Sequence, residues 1–344
     1  MNSYIRKYTI TFFCLYGKNF GYGHYSRINS FVKNIKKRVK LVTFGDPINI
    51  SKKLYSKYDY YKNIKEYNNK NILKKKNSLA ILDLSNYSFF KKNNINFFYK
   101  KIRNTFEKVI VIDSILNESF YNKINLSVDC LVIPYFVANK YKKKYKKINF
   151  LTFPEIYFCN EKILKLKHNK TKQIKSCLVT LGSTDNNNLN FELIKILSSN
   201  LFRKINFTFI LGKFLTNNYK KKLIALSKEK INIKFIDFNL NFYSLFNKSD
   251  LILSSSGITK YEALITKKPN IRIYRNRREK ILDNEFSKKQ TIKGFNLKAE
   301  KIPFINYFKK LVFNENFSKK ILNKNFKMLN NIKIKNINNI DVRI

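Results

Sequence analysis

TITFFCLYGKNFGYGHYSRINSF, residues 9–31, joins an apolar run of strand length to a glycine loop and then to a polar segment of helical period. A short, fully apolar run predicts a strand buried on both faces, which belongs in a parallel sheet covered by helices. The loop Gly21-Tyr22-Gly23-His24-Tyr25-Ser26-Arg27 falls where that strand hands over to the first helix. In doubly wound domains this edge is where ligands bind. Two glycines let the backbone turn sharply and approach a ligand closely. His24 would then stand at the helix start as a candidate general base. Arg27, one turn further on, faces the same side and could meet a phosphate or a carboxylate. A helix-start turn with a surface histidine explains the same residues. The position at the sheet edge favours function.

The same grammar repeats along the chain. Apolar runs at Thr9–Leu15, Val39–Phe44, Leu79–Leu84, Val109–Ile112 and Cys130–Ile133 read as strands. So do Cys177–Leu181, Asn206–Leu211, Ile233–Phe238, Leu251–Ser254 and Asn270–Tyr274. Lys-rich segments of helical period lie between many of them, at Ser26–Lys37, Phe191–Leu197, Tyr219–Lys228 and Lys260–Thr266. Strand–helix alternation predicts parallel sheets with helices on both faces. The polar bridge Glu161–Ser176 separates five strands from five, and the domain boundary is placed there. The domains are then 1–162 and 172–344, the second closing in terminal helices. Two such domains would make a cleft between their strand ends.

A chain of 344 residues with 44% hydrophobic and 15% aromatic residues has enough apolar surface for two cores. Lys+Arg 70 against Asp+Glu 22 gives a formal charge of +48. The lysines are dispersed among Asn, Ile, Tyr and Phe, a pattern that AT-biased codon supply produces without a nucleic-acid partner. Runs such as Tyr141–Lys147 and the linker residue His168 read as solvated. Cys14, Cys130, Cys159 and Cys177 show no C-x-x-C spacing, which argues against a zinc site or disulfide framework. The apolar run after Arg6 and Lys7 lacks a small-residue cleavage site, and no stretch reaches the ~20 residues of a membrane helix. These features predict a soluble, cytoplasmic protein whose basic surface could rest on anionic lipid.

Two further loops carry candidate chemistry. Leu181-Gly182-Ser183-Thr184-Asp185 ends the strand that opens the second domain. Gly182 and Ser183 could line a diphosphate, and a helix cap by Asp185 explains the run almost as well. Ser254-Ser255-Ser256-Gly257-Ile258-Thr259-Lys260-Tyr261-Glu262 follows another strand. Ser256, Gly257 and Thr259 form a candidate anion loop. Glu262 could reach a ribose hydroxyl pair, or be placed by the helix dipole alone. Asp83 and Asp113 end apolar strands and could touch a sugar. Capping the following helix is the commoner role, and the sequence favours it for both.

Together these motifs resemble the UDP-sugar hydrolase of pseudaminic acid biosynthesis and the related spore-coat-polysaccharide group. The family's G-x-G-H-x-x-R loop matches at Gly21, Gly23, His24 and Arg27. Its G-S-x-D element resembles Gly182, Ser183 and Asp185, with Leu181 in place of a glycine and Thr184 inserted. Its G-x-T-x-x-E element matches at Gly257, Thr259 and Glu262, followed by Pro269, and Phe153-Pro154-Glu155-Ile156-Tyr157 resembles its G-P-E-Y stretch. The motifs run in the family's order over nearly the whole chain. The sequence departs from the family at Phe13 and Leu15, where Arg and Asp are usual, and at Asn276-Arg277, where Asn-Gln is usual. These departures touch sugar recognition.

The resemblance implies a GT-B fold and UDP held by the second domain, with a UDP-activated amino sugar facing His24 as catalytic base. It implies substrate contacts from Gly21, Gly23, Arg27, Gly182, Ser183, Asp185, Ser256, Gly257, Thr259, Glu262 and Asn276. These residues require no metal and no cofactor. Hydrolysis to UDP and a free amino sugar is the first expectation. The rival is transfer from the same donor to an acceptor hydroxyl. A nucleic-acid-binding protein is the distant third.

Overall fold

Thr9–Tyr16 forms β1, and every side chain of it except Thr9 is buried. The structure is a computed structural model that describes residues 7–35, 37–69, 75–86, 89, 95–113, 128–141, 148–166, 171–185, 187–227, 232–238, 242–288, 291–337 and 340. The lysine run 142–147 and His168 lie outside the described residues. Alternate residues of β1 serve opposite faces of its sheet. Phe12 meets Phe31 of the helix Gly23–Ile35 edge-on at 5.6 Å, while Phe13 packs against Tyr67, Phe98 and Phe106.

The strands that follow are β2 (Val39–Gly45), β3 (Tyr55–Tyr61), β4 (Lys75–Asp83), β5 (Phe106–Ile112), β6 (Cys130–Ile133) and β7 (Asn149–Thr152). With β1 they make one sheet in the order β3-β2-β1-β4-β5-β6-β7, and each neighbouring pair is parallel. The strand β8 (Ile156–Tyr157) lies outside that sheet.

The second unit contains β9 (Ser176–Thr180), β10 (Asn206–Leu211), β11 (Ile233–Asp237), β12 (Leu251–Ser255), β13 (Asn270–Ile273) and β14 (Gly294–Phe295). They form a parallel sheet in the order β11-β10-β9-β12-β13-β14. Val179, Phe209, Leu253 and Ile271 from its strands join Leu193, Phe304 and Phe308 from its helices in one apolar core.

The compact units are Met1–Asn160 with Lys333–Ile344, and Glu161–Ile332. The sequence assigns the last stretch to the second domain, but β15 (Asn336–Ile337) returns to pair with β8 of the first unit. The polar bridge is also anchored within the second unit. Lys175 N and Ser176 N donate to Asp250 Oδ2, and Thr171 Oγ1 donates to Asp250 O.

One buried charge cluster fixes the far edge of the second sheet. Arg272 is fully buried, and its Nε donates to Asp283 Oδ1 at 2.5 Å. Its Nη1 donates to Asn270 O and its Nη2 to Ser287 Oγ. Lys260 is buried alongside, near the rings of Tyr261 and Phe286, and burial pushes its ammonium down to about 8. Gly294 leaves room for this arrangement, because a Cβ there would sit 2.2 Å from Asp283 Oδ2. Gly294→Ala is therefore expected to displace the counter-charge of Arg272 and lower stability by about 2 kcal/mol. Urea unfolding measures it. An unchanged midpoint would mean that Asp283 moves aside freely.

Candidate functional site

In each sheet the strand order reverses once, at the place where such sheets bind ligands. In the first unit this point lies between β1 and β4, which run side by side with Cys14 opposite Asp83. The loop after β1 and the residue ending β4 therefore share one edge. Gly21 has φ of +81°, and Gly23 opens the helix that carries His24 and Arg27.

His24 Nδ1 lies 2.7 Å from Asp83 Oδ1. Arg27 Nε donates to Asp83 Oδ2 and its Nη2 to Asp83 Oδ1, both at 2.8 Å. Asp83 is fully buried, while His24 and Arg27 are each 6% exposed. An ionised carboxylate only accepts, so Nδ1 carries the proton in this contact, and in the neutral ring it is Nε2 that holds the lone pair. Burial works against the Asp83 charge, yet Arg27 and then His24 hold its carboxyl below the usual range. Burial likewise opposes the charge on Arg27, and Asp83 keeps it protonated. The arrangement is that of a base oriented by a carboxylate. Cys14 cannot serve as a thiolate beside it, since burial and then Asp83 push its thiol well up.

Asp83 thus corrects the helix-capping role favoured by the sequence. Its two oxygens hold the base and the arginine. Arg27 engages a carboxylate of its own chain, and that bond, rather than a substrate phosphate, occupies its Nε and Nη2. Asp113 is buried, and the segment it would cap lies outside the described residues. Sequence reasoning also passed over an aromatic group on the strand end and helix start that carry the base. The rings of Tyr16, Tyr22 and Tyr25 meet edge-on at 5.6 to 6.2 Å. Phe13 and Leu15, at the positions where the family departs, are fully buried core residues of β1.

The reversal in the second sheet lies between β9 and β12, so the loops after these strands lie side by side. Gly182 holds φ of +103°, a left-handed value that glycine adopts without strain. Ser183 O accepts from Phe214 N at 2.9 Å. Asp185 does not face this edge as a free acceptor. Its carboxylate accepts from Leu189 N, Asn190 N and Asn190 Nδ2 at 2.8 to 2.9 Å, and from the Tyr219 hydroxyl. That is a helix cap, the other role the sequence allows for Asp185. Asn276 likewise caps the helix Arg277–Ser287, accepting from Glu279 N at 2.9 Å.

The loop after β12 retains chemistry that the fold does not use. Ser256 is 5% exposed, and its hydroxyl has no hydrogen-bond partner among the described residues. Gly257 is exposed beside it, and Thr259 opens the helix Thr259–Ile265. Glu262, in the first turn of that helix, is 6% exposed. Burial pushes its carboxyl up to about 7, against the lowering effect of a hydrogen bond from Thr259. Among the described residues the hydroxyl of Thr259 is the donor seen on this carboxyl. Among the described residues no group of three or more His, Cys, Asp or Glu could hold a metal ion, and no described helix is long and apolar enough to cross a membrane.

No family model matches the chain. An uncharacterized protein of Methanocaldococcus jannaschii is 26% identical over 198 residues, which is 56% of this chain. The matched part spans 40% of that protein. Solved structures match almost end to end. A glycosyltransferase from Rickettsia africae superposes with a TM-score of 0.53 at 16% identity, covering 95% of both chains. Anabaena HepE, in complex with UDP and glucose, gives 0.57 at 10% identity, covering 94% of this chain and 95% of its own. S. aureus MnaA, solved with UDP, gives 0.55 at 13% identity, covering 92% of this chain and 90% of its own. The chain has the fold these proteins share, two doubly wound parallel-sheet α/β domains of the GT-B type.

Proposed function

We propose that the chain is a glycosyltransferase that takes a sugar from UDP and passes it to an acceptor hydroxyl in glycan biosynthesis. The observation that carries this reading is the buried pairing of His24 with Asp83, which leaves Nε2 as the proton acceptor. His24 draws the proton from the acceptor oxygen as that oxygen attacks the anomeric carbon, and the bond to the diphosphate breaks. Asp83 holds the ring and stabilises the imidazolium that forms. Such a base contributes typically ~10²–10⁴-fold.

UDP belongs to the second unit in this reading. Glu262 accepts from the ribose hydroxyls, and Ser256 donates to the diphosphate beside Gly182, Ser183, Gly257 and Thr259. The glycosyltransferase of the same fold and the UDP complexes of HepE and MnaA support the donor class. Hydrolysis is the second reading, favoured by the G-x-G-H-x-x-R run at Gly21–Arg27. Water then takes the acceptor's place, and the products are UDP and a free sugar, an amino sugar by that resemblance.

Calorimetry of UDP against ADP tests the donor class. UDP is expected to bind at least tenfold more tightly, and equal or absent binding would overturn both readings. Among UDP sugars, transfer requires that UDP release depend on added acceptor. Release at the same rate in water alone, with free sugar formed, selects hydrolysis.

A further inference from the structure

Arg27 stands directly behind the candidate base. Its guanidinium grips Asp83 through two bonds, and its Nη2 also lies 3.1 Å from His24 Nδ1. All three side chains are at least nine-tenths buried. With neutral imidazole the cluster is electrically balanced, one carboxylate against one guanidinium. Protonating His24 leaves a net positive charge in a buried place. Without Arg27 the same proton would neutralise the cluster instead.

We propose that Arg27 is a positioning residue, one that fixes the Asp83 carboxylate under His24 and opposes resting protonation of the imidazole. The assignment rests on the reading of His24 as the base. It differs from a phosphate-binding role, which the two bonds to Asp83 leave without Nε and without one Nη2 hydrogen.

Among the described residues, Asp83 and Arg27 are the charged side chains seen in contact with His24, and Asp113 lies further off, acting with Asp83 on Tyr99. Cys14 on β1 and Tyr99 on the helix Ile95–Thr105 face Asp83, and burial first holds both neutral. Tyr135 and Tyr157 lie near the guanidinium. On the loop and helix of His24 itself, burial raises Tyr22 and Tyr25, which are neutral phenols. None of these phenols and thiols changes charge near neutrality.

The test is an NMR titration of the full chain carrying ¹³C-labelled histidine. The sequence has two histidines, so a His168→Gln reference assigns the His24 signal. Arg27→Gln is expected to raise the His24 midpoint by about one pH unit or more, because the opposing cation is gone. UDP affinity should stay within about twofold. Arg27→Lys keeps the charge and is expected to leave the midpoint within about half a unit of wild type. A midpoint unmoved by Arg27→Gln would overturn the proposal. So would a tenfold or greater loss of UDP affinity with no midpoint change, since that marks a phosphate ligand.

Should Arg27→Gln fail to fold, the double variant Arg27→Gln/Asp83→Asn buries two neutral amides and carries the test. Losing both fixed charges is expected to return the midpoint to within about half a unit of wild type. If Arg27 has no hold on His24, loss of Asp83 alone would drop the midpoint by about one unit or more. The titration needs no turnover, so a failure of this assignment is separable from a failure of the UDP-sugar reading.

Discussion

Replacing His24 with Asn is expected to lower turnover by at least about a hundredfold while leaving UDP affinity within about twofold. An Asn side chain offers an N–H donor that can satisfy Asp83 Oδ1, so the buried ion pair of Asp83 and Arg27 keeps its environment. It offers no basic nitrogen where Nε2 stood, so the acceptor hydroxyl has nowhere to send its proton. Stability should change little for the same reason. Single-turnover kinetics and calorimetry measure the two halves. A fully active Asn variant would reduce His24 to a structural residue at a helix start.

The second large effect belongs to Glu262. Its folded-state carboxyl titrates at about 7, against 4.5 for an ordinary glutamate, because burial penalises the charge. Between those values the folded chain retains a proton that the unfolded chain has released. Stability therefore falls as pH rises through this window, and above 7 the deficit levels at about 3 kcal/mol. Glu262→Gln removes the deficit, so the variant should be more stable than wild type at pH 8 and converge with it below pH 4.5. The same substitution removes the charged acceptor for the ribose. It should weaken UDP binding tenfold or more at pH 8, as expected for a charge-assisted bond of about 1.5–3 kcal/mol. Denaturant unfolding at two pH values and calorimetry check both. A variant that binds UDP like wild type would move the nucleotide elsewhere, and one less stable at pH 8 would show that the carboxylate has a cationic partner.

The strands with continuous apolar runs were legible in the sequence because burial on both faces writes itself into composition. Cys130–Ile133 and Asn206–Leu211 match the structure residue for residue. The strands passed over include the sheet edges β3, β7 and β14. β3 reads YSKYDYY and exposes Ser56 and Lys57. An edge strand has one unpaired flank and less burial, so its polar positions hide it. Asp83 ends a strand lying beside β1 across the reversal in sheet order, 59 residues from His24 in sequence. The signal was available in principle, since doubly wound sheets place the fourth strand next to the first. Without β3 in the count, the strand ending in Asp83 reads as the third. At Asp185 and Asn276 the structure shows a role inside the fold. Asp185 stands four residues before the helix that begins at Leu189 and Asn276 directly before the one that begins at Arg277, where carboxylate and amide oxygens cap free N–H groups whether or not a ligand is near.

Proton NMR of UDP-amino sugars in ¹⁸O-labelled water, with and without a candidate acceptor, tests the UDP-sugar assignment most directly. Wild-type protein is expected to consume the donor's anomeric signal, release unlabelled UDP, and form either a new glycosidic signal or a free sugar carrying the heavy oxygen. The Asn variant at His24 is expected to do neither at a comparable rate. Heavy oxygen in the released UDP would place the attack on phosphorus, and no loss of any UDP sugar from a protein that also fails to bind UDP would contradict the assignment outright.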